Sequence, residues 1–314
     1  MRRIVIVGAG FFGRLIAQRL ADDGIDATLA ARRGADLVID AEDRRSIARV
    51  LRAGDVIIDT AGPFHERSTY LAESAIARGC DIVDLSDSVE FAERVSALHG
   101  RAVAAGTRIV TSCSAVVTVA ASAITRSAVA EPTRCDIFLA PASAETGNPA
   151  TVRSFAHALG ARWSETRPFP GGGRRGHHLE SAASLLLPRS WPALAQVDFW
   201  VDPNAPLAAP AFAIAARIPA ARAVIPLAAR LGRGLGRHDG VFAVTVRGSG
   251  SEATVWLAAP SRSYLVAAEP AAMVAAALAR DERMPAGVVP PDQHASAEAL
   301  FARLISLGVS VELR

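Results

Sequence analysis

The sequence predicts an α/β fold, a doubly wound parallel sheet followed by a second, smaller α+β domain that holds a substrate. Three observations carry this. The chain opens on a short apolar run, RRIVIVG, that passes straight through Gly8, Gly10 and Gly13 into an amphipathic helix. Five further β-rich runs, six in all, alternate with helical stretches as far as TRIVTS, the pattern of parallel strands joined by crossover helices. Beyond Val116 the pattern changes to an Ala-rich helix and alternating runs of a different sheet.

The opening run reads as a buried strand with a Rossmann-type turn after it. Gly8 permits the tight turn, Gly10 lets a pyrophosphate approach the backbone, and Gly13 lets the helix pack closely on the strand. The helix N-terminus, at Phe11 and Phe12, then points at the phosphates, so a dinucleotide is expected here. The second strand, DATLAARR, ends where an enzyme using NAD offers a carboxylate to the ribose hydroxyls. This chain offers Arg32 and Arg33, and guanidinium groups pair with a 2′-phosphate through forked, charge-assisted hydrogen bonds. NADP(H) is the expected cofactor. The alternative is a solvated basic pair on a loop.

The pattern continues with ADLVID, a helix from Arg44 to Arg52, DVIIDTAGPF, a helix from Arg67 to Arg78, CDIVDLSD, a helix from Val89 to Ala105, and TRIVTS. Ligands of such sheets lie outside the carboxyl ends of the strands, so residues at those ends are the candidates. After the Ala-rich helix, from Val116 to Val129, come CDIFLAPA, a polar break at SAETGNPA, a helix from Thr151 to Gly160, and a loop with three consecutive glycines. QVDFWVD, GVFAVTVRG and EATVWLAA alternate as strands of an antiparallel sheet with one covered face. The expected division is a nucleotide-binding domain over 1–125, a substrate and dimerisation domain over 126–285, and a closing segment over 286–314 that packs back on the first domain.

Composition narrows the chemistry. All 34 basic residues are arginine, which excludes any mechanism that needs a lysine, such as a Schiff base or a phosphate-loop Lys. A net charge of +3 with dispersed arginines does not fit a nucleic-acid-binding face. Cys80, Cys113 and Cys135 are widely spaced, which fits a reducing cytoplasm and neither a disulfide framework nor a metal site. The uncharged stretch from Pro203 to Ala216 is too short and too rich in proline to span a bilayer and reads as core, interface or pocket.

From Asp55 to Ile124 the residues resemble the saccharopine dehydrogenase-like oxidoreductases. The matching features are the AGPF turn at Ala61 to Phe64, the helix Ala72 to Gly79, the strand end with Asp84, Ser86 and Asp87, and the helix end Leu98 to Gly106. The tail GVVPPDQHASAEALFARLISLGV is similar to the family's closing segment. The resemblance implies a two-domain reductase or dehydrogenase using a nicotinamide cofactor, acting on secondary amines, imines or other polarised double bonds. It places the pyrophosphate on Gly8, Gly10 and Gly13, the 2′-phosphate on Arg32 and Arg33, the adenine edge on Asp40, and the nicotinamide ribose on Thr60, Ala61, Gly62 and Pro63, with Ser86 also at the cofactor. The chain departs from the family after the sixth strand, where Cys113, Ser114, Ala115 and Val116 replace a Pro-Gly pair.

Hydride transfer needs alignment, polarisation and sometimes a proton. Candidates near strand ends are His65, Asp87 and Cys113, with Ser114 beside them. His65 follows the GPF turn and titrates near neutrality, the alternative being a surface histidine that opens a helix. Asp87 can polarise an amine or cap the next helix. Cys113 lies between a strand and a helix, where a thiol either gains acidity or sits as a small buried hydrophobe. The loop FPGGGRRGHHLE reads as a lid whose Arg174 or Arg175 grips an anion, or as a plain connection; His177, His178 and Glu180 lack a zinc spacing.

The expected function is an NADP(H)-dependent oxidoreductase moving hydride to or from a C=N or C=O carbon of a small, fairly apolar substrate. The alternatives are an enoyl reductase of the same family and an NADP(H)-sensing protein without turnover. A small-molecule substrate, no nucleic acid, no transmembrane segment and a homodimer are the expected partners and surroundings.

Overall fold

A computed structural model describes residues 1–147, 149–206, 208–225 and 236–314. The opening run forms β1 (Ile4–Val7), buried at all four residues because both faces of a parallel sheet are covered. It leads into α1 (Phe11–Asp22), followed by β2 (Ala27–Ala31), β3 (Leu37–Val38), α2 (Arg44–Val50) and β4 (Val56–Asp59). Next come α3 (Tyr70–Ala77), β5 (Asp81–Asp84), α4 (Val89–Ser96), α5 (His99–Ala104) and β6 (Arg108–Val110). The stretch expected as one helix from Val89 to Ala105 thus breaks in two, and ADLVID keeps only two residues of strand.

The rest of the chain adds α6 (Ala120–Ser127), β7 (Pro132–Ala140), α7 (Ser143–Thr146), α8 (Pro149–His157), β8 (Thr166–Pro168), β9 (Arg175–Leu179) and α9 (Ala183–Leu186). Then follow β10 (Gln196–Val201), α10 (Ala208–Arg217), β11 (Gly240–Gly248), β12 (Ser251–Ala259), α11 (Leu265–Ala279), β13 (Gly287–Val288), α12 (Ala297–Ser306) and β14 (Ser310–Leu313). A wide, π-type turn at Ala115–Val119 precedes α6.

The strands form two seven-stranded sheets. The first, in the order β13-β6-β5-β4-β1-β2-β3, is parallel throughout, with its order reversing at β1 and β4. That reversal is the switch point at which open α/β sheets bind ligands. The second sheet runs β14-β12-β11-β7-β10-β9-β8. It is mixed, because β7 and β10 pair in parallel while its other neighbours are antiparallel.

The chain crosses between the sheets more than once. Helix α11, apolar round nearly its whole circumference, is buried against α1, β4 and β5 of the first sheet. Strand β13 extends that sheet, whereas β14 joins the edge of the second. Glu269, fully buried in α11, ties the layers together by accepting from Arg19 at 3.0 Å and from Arg303 at 2.5 Å. The glycine-rich loop is a hairpin turn between β8 and β9, and Arg174 is pinned to Asp202, Asn204 and Asp239. A lid that grips an anion with Arg174 is therefore not built. Among the described residues no helix is long and apolar enough to cross a membrane, and no group of acidic, histidine or cysteine residues could hold a metal ion.

Candidate active site

Where β1, β4 and β5 end, the chain leaves a cavity of about 1390 Å³ that runs from the glycine turn to the inner face of the second sheet. Gly8 has φ of +112°, open to glycine at little cost, and a Cβ there would come within 2.5 Å of Thr60 Oγ1. A Cβ on Gly13 would sit 1.8 Å from the Gly8 carbonyl, so α1 touches β1 only because position 13 has none. At Gly10 a Cβ would meet nothing within 4 Å, since that backbone faces the cavity. The Thr60 hydroxyl donates to the Val7 and Gly8 carbonyls at 3.1 and 2.9 Å and fastens the turn to β4.

Arg32 and Arg33 follow β2 and line the same cavity. Arg14 braces their loop, donating to the Ala9 and Gly34 carbonyls at 3.0 and 2.9 Å. A third guanidinium, Arg49 on the last turn of α2, lines this end as well. All three are exposed, and none forms an ion pair among the described residues. Asp40 lines the wall beside them and accepts from the Glu42 N–H at 3.0 Å. A fourth arginine of the lining, Arg67, is already held by Glu42, Asp59 and the Ala61 carbonyl.

At the far end Asp87 faces the cavity and accepts a hydrogen bond from Ser114 Oγ at 2.7 Å. Asp87 is exposed on the cavity wall, yet the protein surrounding the cavity reduces the hydration of its carboxylate and pushes the carboxyl up to about 6, while the Ser114 hydrogen bond opposes the rise. Capping of α4, the other reading of this loop, falls to Ser88, whose hydroxyl accepts from Phe91 N–H at 3.3 Å. Asp87 is left free for other work. The apolar wall around it comes from Phe155, Leu179, Phe199, Val201, Phe242 and Leu257.

His65 also lines the cavity, its ring stacked on His157 of α8 at 3.8 Å between centroids and 6° between planes. Burial, then the nearby His157, lowers its pKa below the usual histidine value, so His65 is neutral at physiological pH. Two expected site residues lie elsewhere. Cys113 is fully buried in the core between β6 and α11, and its thiol is pushed up to about 12 by loss of water, which removes the thiolate that nucleophilic work requires. Ser86 is also fully buried, and its hydroxyl accepts from the Ser88 N–H at 3.1 Å to shape the loop.

Residues 4–110 match the family described as the saccharopine dehydrogenase NADP binding domain. Over that stretch the chain is similar to a saccharopine dehydrogenase-type nucleotide-binding domain. In its three-dimensional course the whole chain is similar to an amine dehydrogenase from Mycobacterium smegmatis, with 12% identity, 93% of this chain and 95% of that one covered, and a TM-score of 0.50. DAP dehydrogenase from C. glutamicum, in complex with DAP, aligns over 97% of this chain and 98% of its own at 17% identity and a TM-score of 0.48. At such identities the likeness is one of fold. No curated protein matches the chain.

The first sheet thus brings Gly8, Gly10, Phe11, Phe12, Arg32, Arg33, Asp40 and Thr60 to Pro63 to one cavity with His65 and Asp87, while Gly13 packs behind it. Sequence reasoning missed Arg49, Tyr264 and Glu180, which line the cavity too. Arg49 sits one helical turn beyond Arg45 on an unremarkable basic helix, so nothing local distinguished it. Tyr264 is placed by the edge of its ring against Phe11 at 5.2 Å, a contact between residues far apart in sequence. Glu180 reaches the site because the Ala182 N–H donates to the Asp87 carbonyl at 3.0 Å, which no sequence pattern announces.

Proposed function

We propose that the protein is an NADP(H)-dependent oxidoreductase that acts on a C=N or C=O carbon of a small, fairly apolar substrate. One observation carries the reading: a single cavity joins the glycine turn and three unpaired arginines at one end to Asp87, Ser114 and an apolar wall at the other. The residues fit a dinucleotide, since Gly10 leaves room for a phosphate and the first turn of α1 keeps amide N–H groups without helical partners. Arg32, Arg33 and Arg49 favour the coenzyme with a 2′-phosphate, while Asp40 would take the adenine edge and Thr60 to Pro63 the nicotinamide ribose. When bound, that coenzyme supplies or accepts a hydride.

The chain's own part is to orient and to move a proton. Asp87, with a carboxyl near 6, exchanges protons close to neutral pH, and Ser114 fixes the oxygen that does so. Neutral His65 can donate or accept a hydrogen bond beside it. In this reading the first sheet, with α11 packed on it, serves the coenzyme and the second sheet the substrate. Titration with NADPH and NADH, followed by absorbance of the reduced coenzyme against a panel of imines, ketones and enoyl compounds, tests it. Oxidation of NADPH with imines or ketones is expected. Binding without consumption on any compound would instead mark a sensor, and no binding would end the reading.

A further inference from the structure

The charge arrangement along the cavity is uneven. The chain has no lysine, and the four arginines that line the cavity among the described residues, Arg32, Arg33, Arg49 and Arg67, all belong to the nucleotide-binding domain. Arg67 is neutralised by Asp59 and Glu42. Among the described residues the second sheet and its helices contribute no arginine to the wall, so no described arginine there pairs with a carboxylate on the substrate.

They contribute a carboxylate instead. Glu180 follows β9, is exposed to the cavity, and has no hydrogen-bond or ion-pair partner among the described residues. The Ala182 N–H bond to the Asp87 carbonyl, 3.0 Å, ties the stretch after β9 to the Asp87 loop, and the Glu180 carboxylate passes over Gly160, where a Cβ would stand only 3.1 Å from Oε1. The other acidic groups near this end are engaged, Glu90 with Ser88 and His157, and Glu66 with His65. Asp87 and Glu180 therefore remain as the carboxylates that can meet a ligand, in a chamber that also presents Ser114, Ser154, His65 and His157 beside its apolar wall.

We infer that the substrate is an apolar amine, cationic at the nitrogen and lacking a carboxylate, with Glu180 as a specificity-determining residue that holds its ammonium group alongside Asp87. This rests on the proposed function and deepens it. A carboxylate in this chamber would lose its water without gaining a cation and would face two like charges. An ammonium group gains two charge-assisted hydrogen-bond partners while its hydrocarbon part is covered by Phe199, Phe242 and Leu257.

Calorimetric titration with 2-phenylethylamine, phenylalanine and 2-phenylethanol tests the inference, because the three differ in a carboxylate or in the charge alone. The titration is run on the protein by itself and with NADP+ bound, and the ranking in either state reads the substrate class. The amine is expected to bind at least about tenfold more tightly than the other two. Glu180→Gln should weaken the amine about tenfold and leave 2-phenylethanol and NADP+ unchanged. Phenylalanine binding as tightly as the amine, no amine binding, or an unaltered amine affinity in Glu180→Gln would overturn it. The separate NADP+ titration distinguishes this from failure of the coenzyme reading, which would remove NADP+ affinity and leave the ranking of the three compounds to be read on the protein alone.

Discussion

Ser114 Oγ donates to Asp87 Oδ1 at 2.7 Å, across the gap between the ends of β6 and β5. Two short loops that follow neighbouring parallel strands are thereby joined at one carboxylate. The hydroxyl steadies the ionised carboxyl, opposing the reduced hydration inside the cavity that raises it to about 6.

A pH profile follows from this pair. A carboxyl at about 6 is ionised above that pH, so kcat/KM for amine oxidation should rise through about pH 6, and for reduction it should fall there. Ser114→Ala removes the bond that lowers the pKa and should move the midpoint upward. Asp87→Asn should abolish this limb and cost about a hundredfold in rate. A profile unchanged in both variants would remove Asp87 from proton transfer.

Coenzyme choice should reside in the unpaired arginines. Replacing Arg32 and Arg33 together by alanine should weaken NADP+ at least about tenfold for each guanidinium and leave NAD+ almost unaltered. Arg49→Ala should give a smaller loss of the same sign. Fluorescence titration with both coenzymes checks this, and equal losses for the two would contradict it.

The glycines of the turn should separate folding from binding. Gly13→Ala forces a Cβ into the Gly8 carbonyl and should lower stability by about 1–3 kcal/mol, read as a fall in Tm. A Cβ at position 10 meets no protein atom, so Gly10→Val should keep the wild-type Tm and lose coenzyme affinity.

His294 should make the fold acid-sensitive. Its ring is buried, with Nδ1 2.8 Å from Thr118 Oγ1 and Nε2 3.2 Å from the Val289 carbonyl, and burial lowers its pKa to about 4. The folded protein binds this proton less readily than the unfolded chain, so stability present above pH 6.5 is lost as the pH falls from 6.5 through about 4. The contribution is about 3 kcal/mol. His294→Gln should flatten this part of the Tm against pH curve.

Much of the fold was legible because it is written in local pattern. The run through Gly8, Gly10 and Gly13 specifies a turn whose sterics are almost entirely its own, and the structure puts a backbone carbonyl where a Cβ on Gly13 would be. The Ala-rich helix was legible as helix, but not its wide first turn at Ala115–Val119. Arg174 cannot serve as the gripping residue of a lid because it finds Asp202, Asn204 and Asp239, partners brought close only by strand pairing. Cys113 stood beside Ser114 in the sequence with equal claim to the site; a one-residue step buries the thiol in the core and leaves the hydroxyl on Asp87.

By itself the sequence determined the parallel sheet, the glycine turn that fits a dinucleotide, and the pair Arg32 and Arg33 at the end of the second strand, because each depends on residues close together along the chain. Only the tertiary structure decided that Asp87 is relieved of capping, that Arg49 joins the basic end, and that Glu180 reaches the acidic one. Burial and distance set a side chain's charge and partners, and both are properties of neighbours that arrive from distant parts of the chain.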